Sequence, residues 1–183
     1  MVKKHIAEPI KSKKDIKAIE KYLKEHNERD YVLWVLGVNS GLRVSDIVGL
    51  NVSDVVDKTH ITIIEKKTQK RKSFYINDKL KRVLELFIKG RNLDEPLFLG
   101  KQGRRLDRSQ VHRFIKSACA TLGLKIQAST HTMRKSFGYH HYQQYKDSII
   151  LQKIFNHSSS RITLIYIGVD QDEIDFSYKN FEL

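Results

Sequence analysis

The residues that decide the fold read YVLWVLGV and occupy positions 31–38. They are apolar on nearly every side, which is typical of a helix surrounded by other elements rather than one lying on a surface. Gly41 follows shortly afterwards and predicts the end of that helix, because glycine commonly follows the last helical residue. Trp34 lies within the run and is predicted to be a core residue. The stretch therefore predicts a buried helix.

Apolar residues at helical spacing continue on both sides of this stretch. The clearest patterns lie in residues 12–26, with Ser12 as the predicted N-cap, and in residues 80–88. A third helix is predicted after residue 107, where Asp107 or Ser109 can act as the cap, and a long fourth one is predicted to begin at a Thr130 cap. Shorter helices are predicted at residues 43–50, 149–155 and 161–166.

The pattern changes between residues 60 and 77. ITII at residues 61–64 and SFYI at residues 73–76 are rich in β-branched and aromatic residues, and a polar stretch separates them. Two such runs joined by a polar segment predict a β-hairpin. The predicted fold class is therefore mainly α with one small antiparallel β-hairpin, an α+β arrangement. The length of 183 residues suits a single domain, and no internal repeat or linker divides it.

Charge is the first indication of function. The chain has 34 Lys and Arg against 21 Asp and Glu, which gives a formal net charge of +13. A domain this basic often binds polyanions, because neutralising phosphates releases counterions. A solvated basic surface without a partner is the alternative interpretation.

Membrane proteins and disulfide-stabilised secreted proteins are excluded on composition. No apolar run approaches the length that spans a bilayer, and the N-terminus lacks the apolar stretch of a signal peptide. Cys119 is the only cysteine, so no internal disulfide framework can form, and its apolar surroundings predict a buried, unreactive thiol. We expect a cytoplasmic protein with no membrane partner.

Five short motifs carry the residues suited to chemistry. In chain order they are GLRVSD (residues 41–46), KKT (66–68), HTMR (131–134), FNHSS (155–159) and YIGV (166–169). His131 and Arg134 are three residues apart and so share one face of a helix. A solitary motif of this kind is often only a surface pair, and Tyr166 is one of 8 tyrosines. It is the ordered set that departs from chance.

This ordered set resembles the catalytic domain of the tyrosine recombinases, the phage integrase family, and the resemblance extends over residues 11–169. GLRVSD is similar to the family's first-arginine box, with Asp46 where Glu is more usual. HTMR resembles the His-x-Leu-Arg box, with Met133 in place of Leu, and FNHSS resembles the Leu-Gly-His box. Lys67 lies in the hairpin turn, eight residues before Tyr75. The position of Tyr75 is one where the family commonly has Pro.

The resemblance implies six catalytic residues, which are Arg43, Lys67, His131, Arg134, His157 and Tyr166. The two arginines suit a phosphodiester because guanidinium groups donate to its oxygens and stabilise the charge of the transition state. A free tyrosine has a pKa of about 10, so the nucleophile Tyr166 needs a base, which the resemblance assigns to His131. Lys67 is then the general acid for the 5′-oxygen, and His157 donates a hydrogen bond to a non-bridging oxygen.

The implied activity is site-specific DNA recombination, in which strands are cleaved and rejoined through a 3′-phosphotyrosyl intermediate. No metal, cofactor or ATP is expected, because the arginines supply positive charge and the ester retains the bond energy. Two alternatives stay open: a nicking-closing enzyme similar to type IB topoisomerases, and a DNA-binding regulator that keeps only the fold. A regulator need not retain all six residues, so their joint presence argues against it.

Double-stranded DNA is the expected partner, and further basic residues are predicted to contact it. They are Lys66, Lys70, Arg71 and Lys72 in the hairpin, and Arg105, Arg108, Arg113 and Lys116 around the helix after residue 107. A solvated turn is the alternative for the hairpin group. DNA binding would place the protein at the nucleoid.

Residues 1–183 are predicted to be one catalytic domain, without the N-terminal domain with which family members commonly clamp the opposite face of DNA. The chain is then either an excised domain or a naturally short member. The acidic and aromatic tail, residues 170–183, is predicted either to cover its own core or to dock on a neighbouring protomer, in a tetramer on DNA.

Overall fold

The computed structural model describes residues 7–64, 69 and 71–182, apart from the side chain of Asp170. In these ranges the helices are α1 (Lys13–His26), α2 (Glu28–Ser40), α3 (Val44–Ile47), α4 (Asp78–Ile88), α5 (Arg108–Thr121), α6 (Thr130–Tyr145), α7 (Ser148–Phe155), α8 (Ser160–Ile167) and α9 (Asp170–Lys179). Two strands, β1 (His60–Ile64) and β2 (Arg71–Tyr75), pair in antiparallel orientation. The predicted fold class is confirmed.

Helix α2 is the centre of the larger of two hydrophobic clusters. Its residues 32–37 are buried, and Trp34 is fully buried, as the apolar run predicted. The helix packs against α1, α4 and α6. Asn27 separates α1 from α2 and caps the second helix, because its side chain accepts a hydrogen bond from the backbone N–H of Asp30. The buried helix therefore has a defined start as well as the predicted end.

Gly41 ends α2 in a left-handed conformation, with φ of 63°. It also lies against α6: a Cβ atom at this position would come within 2.5 Å of Cδ1 of Phe137. Both the backbone and the packing therefore require glycine here.

Gly41→Ala is expected to lower the free energy of unfolding more than Gly123→Ala does. Gly123 has φ of 68°, and none of the described residues has an atom within 4 Å of its Cβ position, so this control isolates the conformational cost of about 1–2 kcal/mol. At Gly41 the overlap with Phe137 adds about 1–3 kcal/mol. Urea unfolding of both variants measures the difference, and equal losses would contradict the packing argument.

The hairpin begins its second strand earlier than the sequence predicts. The register runs from His60 opposite Tyr75 to Ile64 opposite Arg71, so Arg71 and Lys72 belong to β2 rather than to a turn. Their alternative assignment to a solvated turn is therefore wrong. Ile61 of β1 is fully buried and anchors the hairpin to the larger cluster.

Helices α6 to α8 build the smaller cluster, whose buried members are Tyr142, Leu151, Phe155, Ile167 and Val169. The N-cap of α6 is Ser129, which accepts from the backbone N–H of His131, and not Thr130 as predicted. Thr130 is instead the first helical residue. The shift by one position makes His131 the second residue of α6 instead of the first.

The C-terminal tail is helical in α9. Lys11 forms an ion pair with Asp172 at 2.7 Å, which ties the start of this helix to the N-terminal segment. Its aromatic residues Phe176 and Tyr178, followed by Phe181, are 69%, 81% and 70% exposed. The interpretation that these aromatics cover the chain's own core is therefore wrong.

The remaining expectations concern Cys119 and the membrane. Cys119 is buried in α5, and burial raises the pKa of its thiol to about 11, which agrees with an unreactive cysteine. None of the helices in the described ranges has the length and apolar character needed to cross a bilayer.

Candidate active site

Three of the predicted catalytic residues line one cleft of about 480 Å³. Arg43 precedes α3, while His131 and Arg134 lie in the first turns of α6. Arg108, at the start of α5, completes the basic lining. The cleft is open to solvent and carries positive charge from both of its walls, so it suits a phosphate group.

Arg43 owes its place to the turn that ends α2. The left-handed Gly41 reverses the chain, and Arg43 then occupies the extended N-cap position of α3. Its side chain is half-buried. The first motif is therefore the corner between α2 and α3, and it places an arginine in the cleft.

Arg134 is held by two other helix ends. It is buried, with 3% exposure, and its guanidinium donates to the carbonyl oxygen of Gly41 at the end of α2 and, at 2.8 Å, to that of Phe155 at the end of α7. The guanidinium carbon lies 4.2 Å from the centre of the Phe155 ring, a cation–π contact. Backbone and ring together fix the orientation of this cation.

Tyr166 lies in α8, half-buried, with its hydroxyl 3.2 Å from Nδ1 of His131. Its ring meets the rings of His157 and Phe155 edge to face, with centroids 5.1 and 5.7 Å apart. The structure thus brings together residues 131, 157 and 166, which the sequence separates by up to 35 positions.

Burial and charge adjust the pKa values of the two groups that share this contact. Burial raises the pKa of Tyr166, and the nearby guanidiniums of Arg134 and Arg43 only partly oppose it. Desolvation of the imidazole lowers the pKa of His131, although the residue as a whole is exposed, and Arg134 and Lys135 lower it further. At neutral pH the pair is therefore a neutral phenol facing a neutral imidazole, which is the state that a base-assisted nucleophile requires.

His157 is held on the other side of Tyr166. Its Nδ1 lies 3.1 Å from Oγ1 of Thr163, and that hydroxyl donates to the carbonyl oxygen of Ser159. We therefore assign the hydrogen of the neutral ring to Nδ1. Burial, Arg134, Arg43 and Lys72 lower the pKa of His157 to about 4.

The other predicted contact residues are distributed unevenly. Lys66, Lys67 and Lys70 lie outside the described residues. Lys72 extends from β2 and donates to the carbonyl oxygen of Ile154. Its charge is close enough to His157 to lower the pKa of that residue. Arg108 lies in the cleft, whereas Arg71, Arg113 and Lys116 are exposed on β2 and α5.

Arg105 makes hydrogen bonds within the protein that the sequence did not predict. Its guanidinium donates to the carbonyl oxygens of Val48 and Leu50, at 3.0 and 2.8 Å, and to Oδ1 of Asn51. These bonds fix the segment after α3 to the turn before α5. Arg105 therefore stabilises the fold around the cleft, and its contact with DNA stays a prediction.

Sequence reasoning predicted no role at the site for Lys135, Phe155 or Thr163. Phe155 supplies the carbonyl oxygen and the ring that hold Arg134. Nζ of Lys135 lies 4.8 Å from the centre of the Tyr166 ring. The only available signal for Lys135 was its position four residues after His131, which puts both on one face of a helix.

Comparison with known proteins agrees with this geometry. Residues 11–173 match the Phage integrase family. The chain is 43% identical over 178 residues to "Probable integrase/recombinase YoeC" of Bacillus subtilis (strain 168), covering 97% of this chain and 98% of that protein. It is 33% identical to Tyrosine recombinase XerC of Neisseria gonorrhoeae, covering 80% of this chain and 49% of XerC. The chain thus spans nearly all of YoeC but about half of the XerC proteins that it matches.

Solved structures show the same fold. A crystal structure of XerA recombinase superposes with a TM-score of 0.77 at 19% identity and covers 98% of this chain and 66% of that one. A lambda integrase (75–356) dimer bound to a COC′ core site gives 0.70 at 18% identity and covers 88% of this chain and 61% of that one. Sequence match, fold and the meeting of the four described motifs around Tyr166 point the same way, and the chain belongs to the phage integrase family, the tyrosine recombinases.

Proposed function

We propose that the protein is a site-specific DNA recombinase that cleaves and rejoins strands through Tyr166. The observation that carries the proposal is the Tyr166 hydroxyl, 3.2 Å from Nδ1 of His131 and beside a cleft lined by Arg43 and Arg134. Family membership supports the same reaction class, and two structural neighbours are solved as complexes, XerH site-specific recombinase with its difH substrate and lambda integrase (75–356) with DNA.

Cleavage begins when the oxygen of Tyr166 attacks the phosphorus of a phosphodiester and its proton passes to His131. The bond from phosphorus to the 5′-oxygen breaks, and Lys67 protonates that oxygen. The products are a 3′-phosphotyrosyl ester and a free 5′-hydroxyl. Arg43 and Arg134 donate to the non-bridging oxygens, whose negative charge grows in the transition state.

Rejoining reverses these steps. A 5′-hydroxyl attacks the phosphotyrosyl ester and returns its proton to Lys67, while the Tyr166 phenolate leaves and recovers its proton from His131. The ester keeps the energy of the broken bond, so no nucleotide hydrolysis is needed. Attack by the 5′-hydroxyl of a second duplex gives strand exchange, which distinguishes a recombinase from an enzyme that only relaxes DNA.

His157 takes part only after a change of protonation. With the hydrogen of the neutral ring on Nδ1, Nε2 has none to donate to a phosphate oxygen. A bound phosphodiester favours a second proton on the ring, because the anion opposes the burial and the cations that lower the pKa of His157 to about 4. His157 then donates from Nε2 while Thr163 holds Nδ1.

The cleavage rate is expected to persist below pH 6.5 and to fall as pH passes through the lowered pKa of His131. The base must be unprotonated to accept from Tyr166, and burial keeps it so below the usual histidine range. Rates are measured with DNA far below saturation, because they then report the pKa of the free enzyme.

His131→Asn should be slow and lose this acidic limb, while His26→Gln, which changes an exposed histidine on α1, should reproduce the parent profile. A decline centred on or above pH 6.5 in the parent protein would contradict the assignment of His131 as a base with a lowered pKa.

Chelation is expected to leave the chemical step unchanged. The arginines and lysine of the site stabilise the charge that a divalent ion would otherwise stabilise. Covalent complex formation is measured with and without excess EDTA, at constant ionic strength so that DNA affinity does not change. Loss of the adduct in EDTA, restored by Mg²⁺, would contradict this mechanism.

The decisive experiment captures the phosphotyrosyl ester. A pool of nicked duplexes with randomised sequence around the nick is incubated with the protein, since release of the short fragment beyond the nick prevents rejoining. DNA that stays attached to protein in detergent is sequenced, which both tests the reaction and identifies the preferred site. Absence of any adduct from a folded, DNA-binding protein would overturn the proposal.

We also infer that the protein assembles on double-stranded DNA, as a tetramer, through its C-terminal helix. Helix α9 and the residues directly after it expose Phe176, Tyr178 and Phe181, which the same chain leaves uncovered in the described ranges. The acidic residues of the helix complement a basic protein of net charge +13. Analytical sedimentation measures the size of the complex that the parent chain and Phe176→Ser form on a duplex identified by the adduct experiment. Phe176→Ser should reduce assembly without preventing a monomer from binding DNA.

A further inference from the structure

Lys135 occupies an unusual position next to the nucleophile. It lies in α6 directly after Arg134 and is buried, with 7% exposure. A lysine is rarely buried to this extent unless an acceptor or an acid pairs with it. In the described part of the chain, no group accepts a hydrogen bond from its ammonium and no carboxylate forms an ion pair with it; Glu8 acts on it only through longer-range attraction.

The contact that Lys135 makes is with the ring of Tyr166. Its Nζ lies 4.8 Å from the ring centroid, while Nδ1 of His131 lies 3.2 Å from the hydroxyl of the same tyrosine. These two residues are one helical turn apart, so a single face of α6 contacts both the hydroxyl and the aromatic face of Tyr166.

We propose that Lys135 is a positioning residue for the reaction, and that its ammonium, held against the ring of Tyr166, stabilises the phenolate form of the nucleophile. The inference rests on the proposed function of Tyr166. A neutral phenol attracts a cation only through its quadrupole, whereas a phenolate also carries a full negative charge that extends into the ring. The contact is therefore stronger in the ionised form, which is the condition for a contribution to rate.

The same contact serves both directions of the reaction. During cleavage, negative charge develops on the Tyr166 oxygen as its proton leaves, and the ammonium lowers the energy of that state. During rejoining, the phenolate is the leaving group, and a stabilised phenolate leaves more readily. Arg43 and Arg134 differ from Lys135 in this respect because they also face the phosphate side of the cleft.

Other charged and titratable groups face this tyrosine as well. They are His131 and Arg134 from α6, Arg43 from the corner before α3, and His157 from the segment before α8. Burial outweighs the arginines and leaves the pKa of Tyr166 raised in the DNA-free protein. Burial also lowers the pKa of Lys135 itself, which is the cost of placing it there.

The test measures the ionisation of residue 166 directly and needs no DNA. Tyr166 is replaced by 3,5-difluorotyrosine, whose hydroxyl ionises much nearer to neutral pH than that of tyrosine, and the ¹⁹F signal is followed by NMR titration. Lys135→Met keeps the apolar stem and removes the charge, while Lys135→Arg keeps a charge. Lys146→Met is the matched control, because Lys146 lies 5.1 Å from the ring of Tyr142 at the other end of α6.

Lys135→Met is expected to raise the titration midpoint by about 1 to 2.5 pH units, the effect of a unit charge about 5 Å away at an effective dielectric constant of roughly 20 to 40. Lys135→Arg and Lys146→Met should leave the midpoint within a few tenths of a unit. The titrations are repeated with His131→Asn, since His131 contacts the hydroxyl and its own protonation would change the ¹⁹F signal.

An unchanged midpoint in a folded Lys135→Met protein overturns the proposal and makes Lys135 a packing residue. If that variant fails to fold, Lys135→Gln takes its place under the same criterion. The proposed function stands or falls separately, because it depends on the covalent adduct. Given that adduct, Lys135→Met should form it at least about 10-fold more slowly at neutral pH and recover as pH rises, which a purely structural defect would not do.

Discussion

Tyr166→Phe is expected to abolish the covalent complex with DNA while leaving folding and DNA affinity nearly unchanged. The substitution removes one hydroxyl, and the ring keeps its edge contacts with His157 and Phe155. The hydroxyl makes a 3.2 Å contact with His131 that is worth little to stability compared with the packing of the ring. Detergent-stable adducts on nicked DNA measure the chemistry, and a filter-binding titration measures the affinity.

Tyr178→Phe is the matched control. Tyr178 lies near the end of α9, is 81% exposed and is the only tyrosine that follows Tyr166 in the sequence. Its variant should form adducts at the parent rate. If Tyr166→Phe still becomes attached to DNA while Tyr178→Phe does not, the nucleophile lies on α9 and the assignment of the active site is wrong.

Lys67→Ala is expected to slow cleavage by roughly 10²–10⁴-fold, the usual loss for a general acid. The specific test replaces the 5′-bridging oxygen of the DNA with sulfur, which leaves readily without a proton. This substrate should restore the rate of Lys67→Ala, because the missing proton is no longer needed. Single-turnover rates on the two substrates give the size of the rescue.

Two comparisons separate an acid from a binding residue. Arg43→Ala should gain nothing comparable from the sulfur substrate, because its defect is the loss of charge stabilisation at the non-bridging oxygens. Lys66→Ala and Lys70→Ala should mainly weaken DNA binding, and this loss of affinity should become smaller as salt rises, because each variant makes one phosphate contact fewer and depends less on salt. Rescue of Lys67→Ala and Arg43→Ala alike, or of neither, would assign Lys67 to phosphate positioning.

Local sequence signals predicted most of the fold because they are properties of short segments. The apolar run at residues 31–38 has no polar face to expose, so its burial in α2 follows from composition. Asp107 caps α5 as predicted, since its carboxylate can accept from the backbone of the first turn. The error at the start of α6 arose because Ser129 and Thr130 are both good caps, and only the backbone conformation distinguishes them.

The sequence predicted which motifs form the candidate site, but it did not predict the contacts between their side chains. Each motif could be found because its residue types are uncommon in that order. Arg105 and Lys135 could not be interpreted in the same way: one turns inward to the carbonyl oxygens of Val48 and Leu50, and the other reaches across to the ring of Tyr166. Both contacts join segments far apart in sequence, so they depend on tertiary structure rather than on any local pattern.

The way in which Arg134 is held has a practical consequence for choosing inactive variants. Because its guanidinium joins the ends of α2 and α7, truncating it leaves two buried carbonyl groups without their donor and opens a void against the ring of Phe155. An inactive variant made at this position therefore combines a chemical defect with a loss of stability. For trapping the protein on uncleaved DNA, Tyr166→Phe is the better variant, since it prevents the reaction and leaves the DNA-binding surface unchanged.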